Sequence, residues 1–297
     1  MVNIIQRRKI WFILSGIVIL TGIISLLIWG LKLGIDFTGG ALIEIEFENK
    51  RPDLSEIDMV LKPLKIEHAP LQPTGEKGIL LRSKPLDEKS HKDILSVLKE
   101  KYGQIKEIRY ESIGPTIGKE LRKKAIYALT LALICIVLYI AYAFRKVSRE
   151  ISSWKLGLCT IGALIHDILI VLGVFSVLGH WFGIETTSLF IVALLTILGY
   201  SVNDTIVVFD RTRENLLMAK EETFEETVNK SVNQCLTRSI NTSATTFLVL
   251  LAIFLFGGET IKYFILALMI GVVVGTYSSI FIASPLLVAW QRLTKRV

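Results

Sequence analysis

The sequence is poor in residues that staple or interrupt a chain, with three cysteines and seven prolines in 297 residues. Cys135 and Cys159 lie inside apolar runs and Cys235 in a polar stretch, so no pair has disulfide or metal-ligand spacing, and neither a structural disulfide nor a metal site is expected. A Walker A sequence, a Gly-rich dinucleotide fingerprint, H-E-x-x-H and G-x-S-x-G are all missing. Nucleotide-driven and common hydrolytic chemistry therefore have no support, no cofactor is implied, and the chain does not read as an enzyme. Nor is there an even excess of basic charge. Of the net +7, residues 31–120 contribute 15 basic and 16 acidic side chains, while the rest of the chain holds 19 and 11. The surplus flanks hydrophobic runs, which is an orientation signal and not a footprint for nucleic acid.

What the sequence has in abundance is apolar length. It is 52% hydrophobic, more than one soluble domain of this size would bury, so part of it must face lipid. A transmembrane helix needs about 20 mostly apolar residues. Six stretches meet that length, over residues 10–31, 125–144, 156–179, 187–209, 239–257 and 263–290. The first follows Arg7, Arg8 and Lys9 and has no small-x-small cleavage site after it, so it reads as an uncleaved helix. Three further basic groups are Arg145, Lys146, Arg149 and Lys155; Arg211, Arg213 and Arg238; and Arg292, Lys295 and Arg296. Together with the N-terminal cluster they fall on one side of the expected topology, against one dissenting group at Arg122, Lys123 and Lys124. The positive-inside rule then places both termini in the cytoplasm of a plasma-membrane protein.

The organisation expected is residues 1–31 as N-terminus and first helix, 32–121 as an extracytoplasmic domain, and 122–297 as helices two to six with a cytoplasmic loop over 210–238. In the domain, Ala41 to Glu48 alternates in the period of two that marks a half-buried strand. Asp53 and Glu56 form a capping pattern ahead of an amphipathic helix containing Ile57, Val60, Leu61 and Leu64. Strands near 65–71 and 78–83 are expected on either side of a Pro73-Thr74-Gly75 turn. A second helix from about Glu88 to Lys101 ends at Gly103, and a last strand covers 104–112. The order β-α-β-β-α-β predicts a small α+β ferredoxin-like sandwich beside a six-helix bundle.

Ionisable groups within membrane spans cost about 2.5–3.5 kcal/mol or more at a helix centre, so each one demands a reason. His166 and Asp167 fall near the middle of the third span. Asp204 lies in the fourth, preceded by Tyr200 and Ser201 on its own face and flanked by Asn203 and Thr205. Arg238 opens the fifth, followed by Ser239, Asn241, Thr242, Ser243, Thr245 and Thr246. This set predicts a proton or ion relay in which a carboxylate changes charge near an arginine, with Asp204, Arg238, His166 and Asp167 as its members; the plainer alternative is a static pair with hydroxyls gluing helices together. Two intramembrane aspartates also raise a protease, but their surroundings are unlike paired-aspartate protease motifs. Asp210 and Arg211 read as an interfacial charge cluster. Gly271 and Gly275 form a G-x-x-x-G whose simplest use is packing within the chain. The stretch from Thr212 to Thr237 is charged and amphipathic, suited to a membrane surface or a partner.

These residues together resemble a known family. Leu33-Gly-Ile-Asp-Phe-Thr-Gly-Gly40, His166-Asp167, the run from Gly199 to Asn215, Arg238-Ser-Ile-Asn-Thr-Ser243, Phe256-Gly-Gly258 and the Gly271/Gly275 helix are similar to SecF, the smaller subunit of the SecD/SecF export pair. The resemblance implies half of a resistance-nodulation-division-type transporter, with a separate SecD supplying the other half. It further implies association with the SecYEG channel and possibly other Sec subunits, contact with the translocating preprotein, and use of the proton-motive force. Positions matching Asp204 and Arg238 are implicated there in proton passage. Asp36, Gly39 and Gly40 read as the turn joining membrane to domain. A proton-coupled small-molecule exporter subunit and a non-conducting structural subunit are the alternatives.

Overall fold

The computed structural model describes residues 1–64, 66–143, 153–218 and 223–294. The basic residues Arg145, Lys146, Arg149, Lys295 and Arg296, and the expected strand start at Lys65, lie outside the described residues. The chain divides into two compact units, Leu33–Ile126 and the combination of Met1–Lys32 with Tyr127–Val297.

The smaller unit begins with a helical turn, α1 being the long helix Arg8–Ile28 before it and α2 the turn Ile35–Thr38. Strands β1 (Gly40–Phe47), β2 (Gln72–Thr74), β3 (Gly78–Ser83) and β4 (Ile105–Ile113) form one antiparallel sheet in the order β2-β3-β1-β4. Helix α3 (Leu54–Leu61) follows β1, and α4 (Glu88–Tyr102) follows β3. Connectivity and strand order are those of the ferredoxin-like sandwich, as expected. Its core joins Ile43, Ile45, Ile79 and Leu81 of the sheet to Ile57, Leu61, Ile94 and Leu98 of the helices, all essentially buried. Asp87 caps α4 by accepting a hydrogen bond from the Ser90 amide at 3.1 Å, and Gly103 ends it at a φ of 82°. Two local expectations fail. Asp53 precedes α3 without a side-chain cap, so the D-x-x-E pattern is not used. The strand expected over 65–71 is β2 instead, which contains Pro73; this is an edge strand, where a residue without an N–H leaves no ladder bond unmade.

Asp36 lies within α2, Gly39 joins that turn to the sheet, and Gly40 opens β1. Gly39 has a φ of 75°, and a Cβ there would stand 2.8 Å from the Pro115 Cα; Gly40 has a φ of 143°, and a Cβ would stand 2.8 Å from the Ser83 carbonyl oxygen. Both positions exclude a side chain, and Asp36 is buried beside them.

Six described helices are long and apolar enough to cross a membrane. They are α1, α5 (Pro115–Ala143), α6 (Ser153–Phe182), α7 (Ser188–Met218), α8 (Phe224–Phe256) and a last segment made of α9 (Glu259–Ser278), a wide π turn Ser279–Ala283 and α10 (Ser284–Thr294). Helix α5 runs unbroken through residues 121 and 122, where a domain boundary was expected, and Arg122, Lys123 and Lys124 lie on it. The stretch 210–238, expected to be a loop, is largely helix: α7 continues to Met218 and α8 starts at Phe224. The reason is local. Thr223 and Glu226 form a reciprocal capping box, and Thr227, Val228, Ser231, Val232 and Cys235 recur at helical spacing on the buried face.

Helix α7 is the centre of this unit, with residues from Phe190 to Asn215 buried every third or fourth position. Small residues set the closest crossings. Gly22 of α1 meets Gly173 of α6, where an added Cβ on Gly173 would lie 2.5 Å from the Gly22 Cα. Gly271 of α9 accepts the Ile197 side chain, and a Cβ on Gly275 would lie 3.0 Å from the Ser201 Cβ. The G-x-x-x-G is therefore used for packing inside the chain. At the N-terminus, Ile4 and Ile5 are buried, and their amides donate to the Asn229 Oδ1 at 3.0 and 3.2 Å. Asn233, one turn further along α8, accepts from the Val2 amide at 2.8 Å and donates to its carbonyl at 2.9 Å. Glu225, at the start of α8, takes ion pairs from both Arg8 and Arg292.

Candidate functional site

The helix crossings place two carboxylates inside the bundle. Asp167 of α6 is fully buried and His166 is 4% exposed. The His166 Nδ1 lies 2.9 Å from the Asp167 Oδ1, and its Nε2 lies 3.1 Å from the Ser15 hydroxyl of α1. Ser15 donates in turn to the Tyr277 hydroxyl of α9 at 3.0 Å. The other carboxylate oxygen of Asp167 accepts from Ser201 of α7 at 2.5 Å and from Ser278 of α9 at 2.8 Å. One buried acid is thus tied to α7 and α9 directly and to α1 through His166, which answers the cost of burying it.

Asp204 sits on α7 three residues beyond Ser201 and is partly exposed. Its Oδ1 accepts from Ser239 of α8 at 2.6 Å, and its Oδ2 from Ser279 at the start of the π turn at 2.5 Å. Arg238 does not pair with it. That side chain is exposed and makes no ion pair or hydrogen bond among the described residues. Instead it lines a polar cavity of about 370 Å³ with Val207, Asp210, Arg211, Glu214, Gln234 and Cys235. Arg238 and Ser239 are adjacent on α8, and consecutive helical residues point about 100° apart. Ser239 consequently turns inward to the acid while Arg238 faces the cavity, which begins one helical turn from Asp204.

The supporting residues separate into two groups. Tyr200 donates to the Ser243 hydroxyl at 3.0 Å, Ser243 also meets the Thr276 hydroxyl, and Thr205 is buried with its hydroxyl on the Ser201 carbonyl at 3.1 Å. Asn203 and Asn241, by contrast, are exposed on α7 and α8 with no side-chain partner among the described residues. Asp210 and Arg211 are neighbours that do not bond each other: Asp210 takes Arg213 at 3.3 Å, and Arg211 binds Glu214 at 2.5 Å and Gln234 at 2.6 Å. Asp36, Gly39 and Gly40 belong to the other compact unit.

Sequence reasoning passed over Ser15, Tyr277, Ser278 and Ser279. The signal was present: Thr276 to Ser279 are four polar residues in succession within the last apolar run, and Ser15 interrupts the first. Pro285 was a further signal. It has no N–H to offer the Phe281 carbonyl one turn back, and its ring crowds that carbonyl, so the helix opens into the wide turn at Ser279–Ala283.

Six membrane-crossing helices around one buried and one partly exposed carboxylate, carried in one chain with a ferredoxin-like unit, define a multi-pass membrane protein with acids inside its bundle. The comparisons narrow the class. The family Protein export membrane protein SecD/SecF, C-terminal, matches residues 93–293, and the SecD/SecF GG motif matches residues 24–50. This chain belongs to the SecD/SecF family of multi-pass membrane proteins. It is 44% identical to protein translocase subunit SecF of Thermobaculum terrenum, covering 98% of this chain and 94% of that one. It is 35% identical to protein translocase subunit SecDF of Bacillus subtilis over 96% of its own length, but spans only 38% of that longer chain. Among solved structures, SecDF of Thermus thermophilus, described as a translocon-associated membrane protein, superposes with a TM-score of 0.85 at 33% identity, covering 98% of this chain and 39% of that one.

Proposed function

We propose that this chain is an accessory subunit of the Sec preprotein translocase that, with a SecD partner, uses the proton-motive force to promote protein export. One observation carries the proton role. Asp204 is a partly exposed acid within a membrane-spanning helix, held by two serine hydroxyls and no cation, one turn from a polar cavity that contains Arg238. A carboxylate only accepts hydrogen bonds, whereas a protonated acid must donate one. Gain of a proton therefore forces one of the two hydroxyls, that of Ser239 or of Ser279, to turn from donor to acceptor, which loosens α7 from α8 or from the π turn. Arg238 supplies the positive charge that favours the ionised form when its side chain swings toward the acid. Each proton crossing 100 mV provides about 2.3 kcal/mol, enough to bias a two-state movement of helices. The SecF relatives, nearly collinear with this chain, and the 38% span of SecDF support a separate SecD as the missing half.

In this reading the protein sits in a prokaryotic plasma membrane with both termini in the cytoplasm, residues 32–121 outside it, and the Sec channel, the emerging preprotein and lipid as its contacts. The deciding experiment is Asp204→Asn reconstituted with SecD in vesicles. The gradient-dependent part of export is expected to disappear while ATP-driven export persists; unchanged gradient dependence would refute the proton role.

A further inference from the structure

The two carboxylates are joined by a pair of adjacent serines that no sequence motif singled out. Ser278 donates to Asp167 at 2.8 Å and Ser279 to Asp204 at 2.5 Å. Each hydroxyl has one proton and a second acceptor within reach on its own helix: the Gly275 carbonyl lies 3.1 Å from the Ser278 hydroxyl, and the Thr276 carbonyl 3.0 Å from the Ser279 hydroxyl. Either hydroxyl can therefore point at its carboxylate or turn back onto the helix. The two choices are not independent, because the Gly275 carbonyl also accepts the Ser279 backbone amide. A Ser278 hydroxyl that turns onto that carbonyl shares it with the bond that seats Ser279, and back-bonding of this kind bends the helix at Ser279. The wide turn after Ser279, held by the Ser284 hydroxyl on the Ser279 carbonyl at 3.3 Å, gives this segment room to adjust that a regular helix lacks.

We propose that Ser278 and Ser279 are positioning residues that couple Asp167 to Asp204, so that the two acids respond to protons as one unit and not as separate sites. The inference rests on the proton-coupled reading above. Its surroundings are sparse in other charge. Asp167 faces His166 on its own helix, Ser15 of α1, Ser201 of α7, and Tyr277 with Ser278 of α9, whose Tyr277 ring lies 6.0 Å from the His166 ring. Asp204 faces Ser239 of α8 and Ser279, with Tyr200 one turn away on α7; Cys235 of α8 lies within electrostatic reach of Asp204 and also of Arg211 and Arg238. Once the acids are linked, the route continues through His166 to Ser15. A change at Asp204 then reaches α1, the helix whose chain runs directly into the ferredoxin-like unit.

The test is an infrared titration of the full chain with SecD in lipid, each acid's carboxyl band being assigned by its loss in Asp204→Asn or Asp167→Asn. Ser278→Ala removes a hydroxyl that touches Asp167 and does not touch Asp204. It is expected to displace the midpoint of the Asp204 band by about one pH unit, the threshold of coupled titration, and Ser278→Thr to restore it. An Asp204 midpoint that is the same in Ser278→Ala as in the parent chain overturns the coupling while leaving the proton role intact; an Asp204 band that does not titrate in the parent chain overturns both. Ser279→Ala read at the Asp167 band gives the same two outcomes independently, should Ser278→Ala fail to assemble.

Discussion

At the residue scale, the chemistry of the bundle comes down to which acceptor each hydroxyl chooses. Asp167 takes three hydrogen bonds inside the bundle, so it is the acceptor around which Ser201, Ser278 and His166 are arranged. Asp167→Asn replaces one acceptor oxygen by a donor NH₂, leaving at least one hydroxyl or imidazole group facing the wrong partner in a closed interior. We expect a loss of about 1–3 kcal/mol, read as a lower unfolding midpoint in detergent. Asp204→Asn, at a partly exposed site, is expected to unfold close to the parent midpoint while losing gradient dependence. The acids themselves were legible in the sequence, since charge within an apolar run is conspicuous. Their partners were not, because a serine inside a membrane helix looks the same whether it binds a carboxylate across the bundle or its own backbone one turn back. The expected Asp204–Arg238 pair shows the same limit: position along a helix places a residue to within a turn, but the neighbour Ser239, not Arg238, takes the inward direction.

At the element scale, helix approach is governed by positions without a side chain. Gly271→Val forces two methyl groups into the space of the Ile197 side chain, and overpacking of this kind costs about 1–3 kcal/mol. Gly16→Ala is the matched control, because an added Cβ there meets nothing within 4 Å and gains helix propensity. Thermal unfolding of the two variants side by side should show a clear drop for the first and no drop for the second. Spans and three of the four strands were readable from period and length, and the ferredoxin-like order followed although β2 lies beyond the stretch expected for it. The stretch 210–238 was not, because its charged residues conceal an apolar stripe that becomes evident only once Thr223 and Glu226 are seen to cap a helix.

At the scale of the whole molecule, one face is incomplete. Asn203 of α7 and Asn241 and Thr242 of α8 are exposed within membrane-crossing helices, as is Arg238. Acyl chains offer such groups no hydrogen bonds, so they call for a polar neighbour, and under the function proposed above that neighbour is SecD. Asn203→Leu combined with Asn241→Leu is expected to reduce co-purification with SecD several-fold at unchanged expression, whereas the same change at the exposed apolar positions Ile13 and Ile17 of α1 leaves it unaltered. Retained association in the double variant would place the partner elsewhere.

The docking of the amino end onto α8 bears on how the molecule is made. Val2, Ile4 and Ile5 are synthesised well before the asparagines that receive their backbone, which lie more than 220 residues downstream. Until α8 has been synthesised and inserted, these residues have nowhere to settle, so closure of the bundle is a late event in biogenesis and chains arrested before α8 should leave the segment ahead of α1 open to proteases.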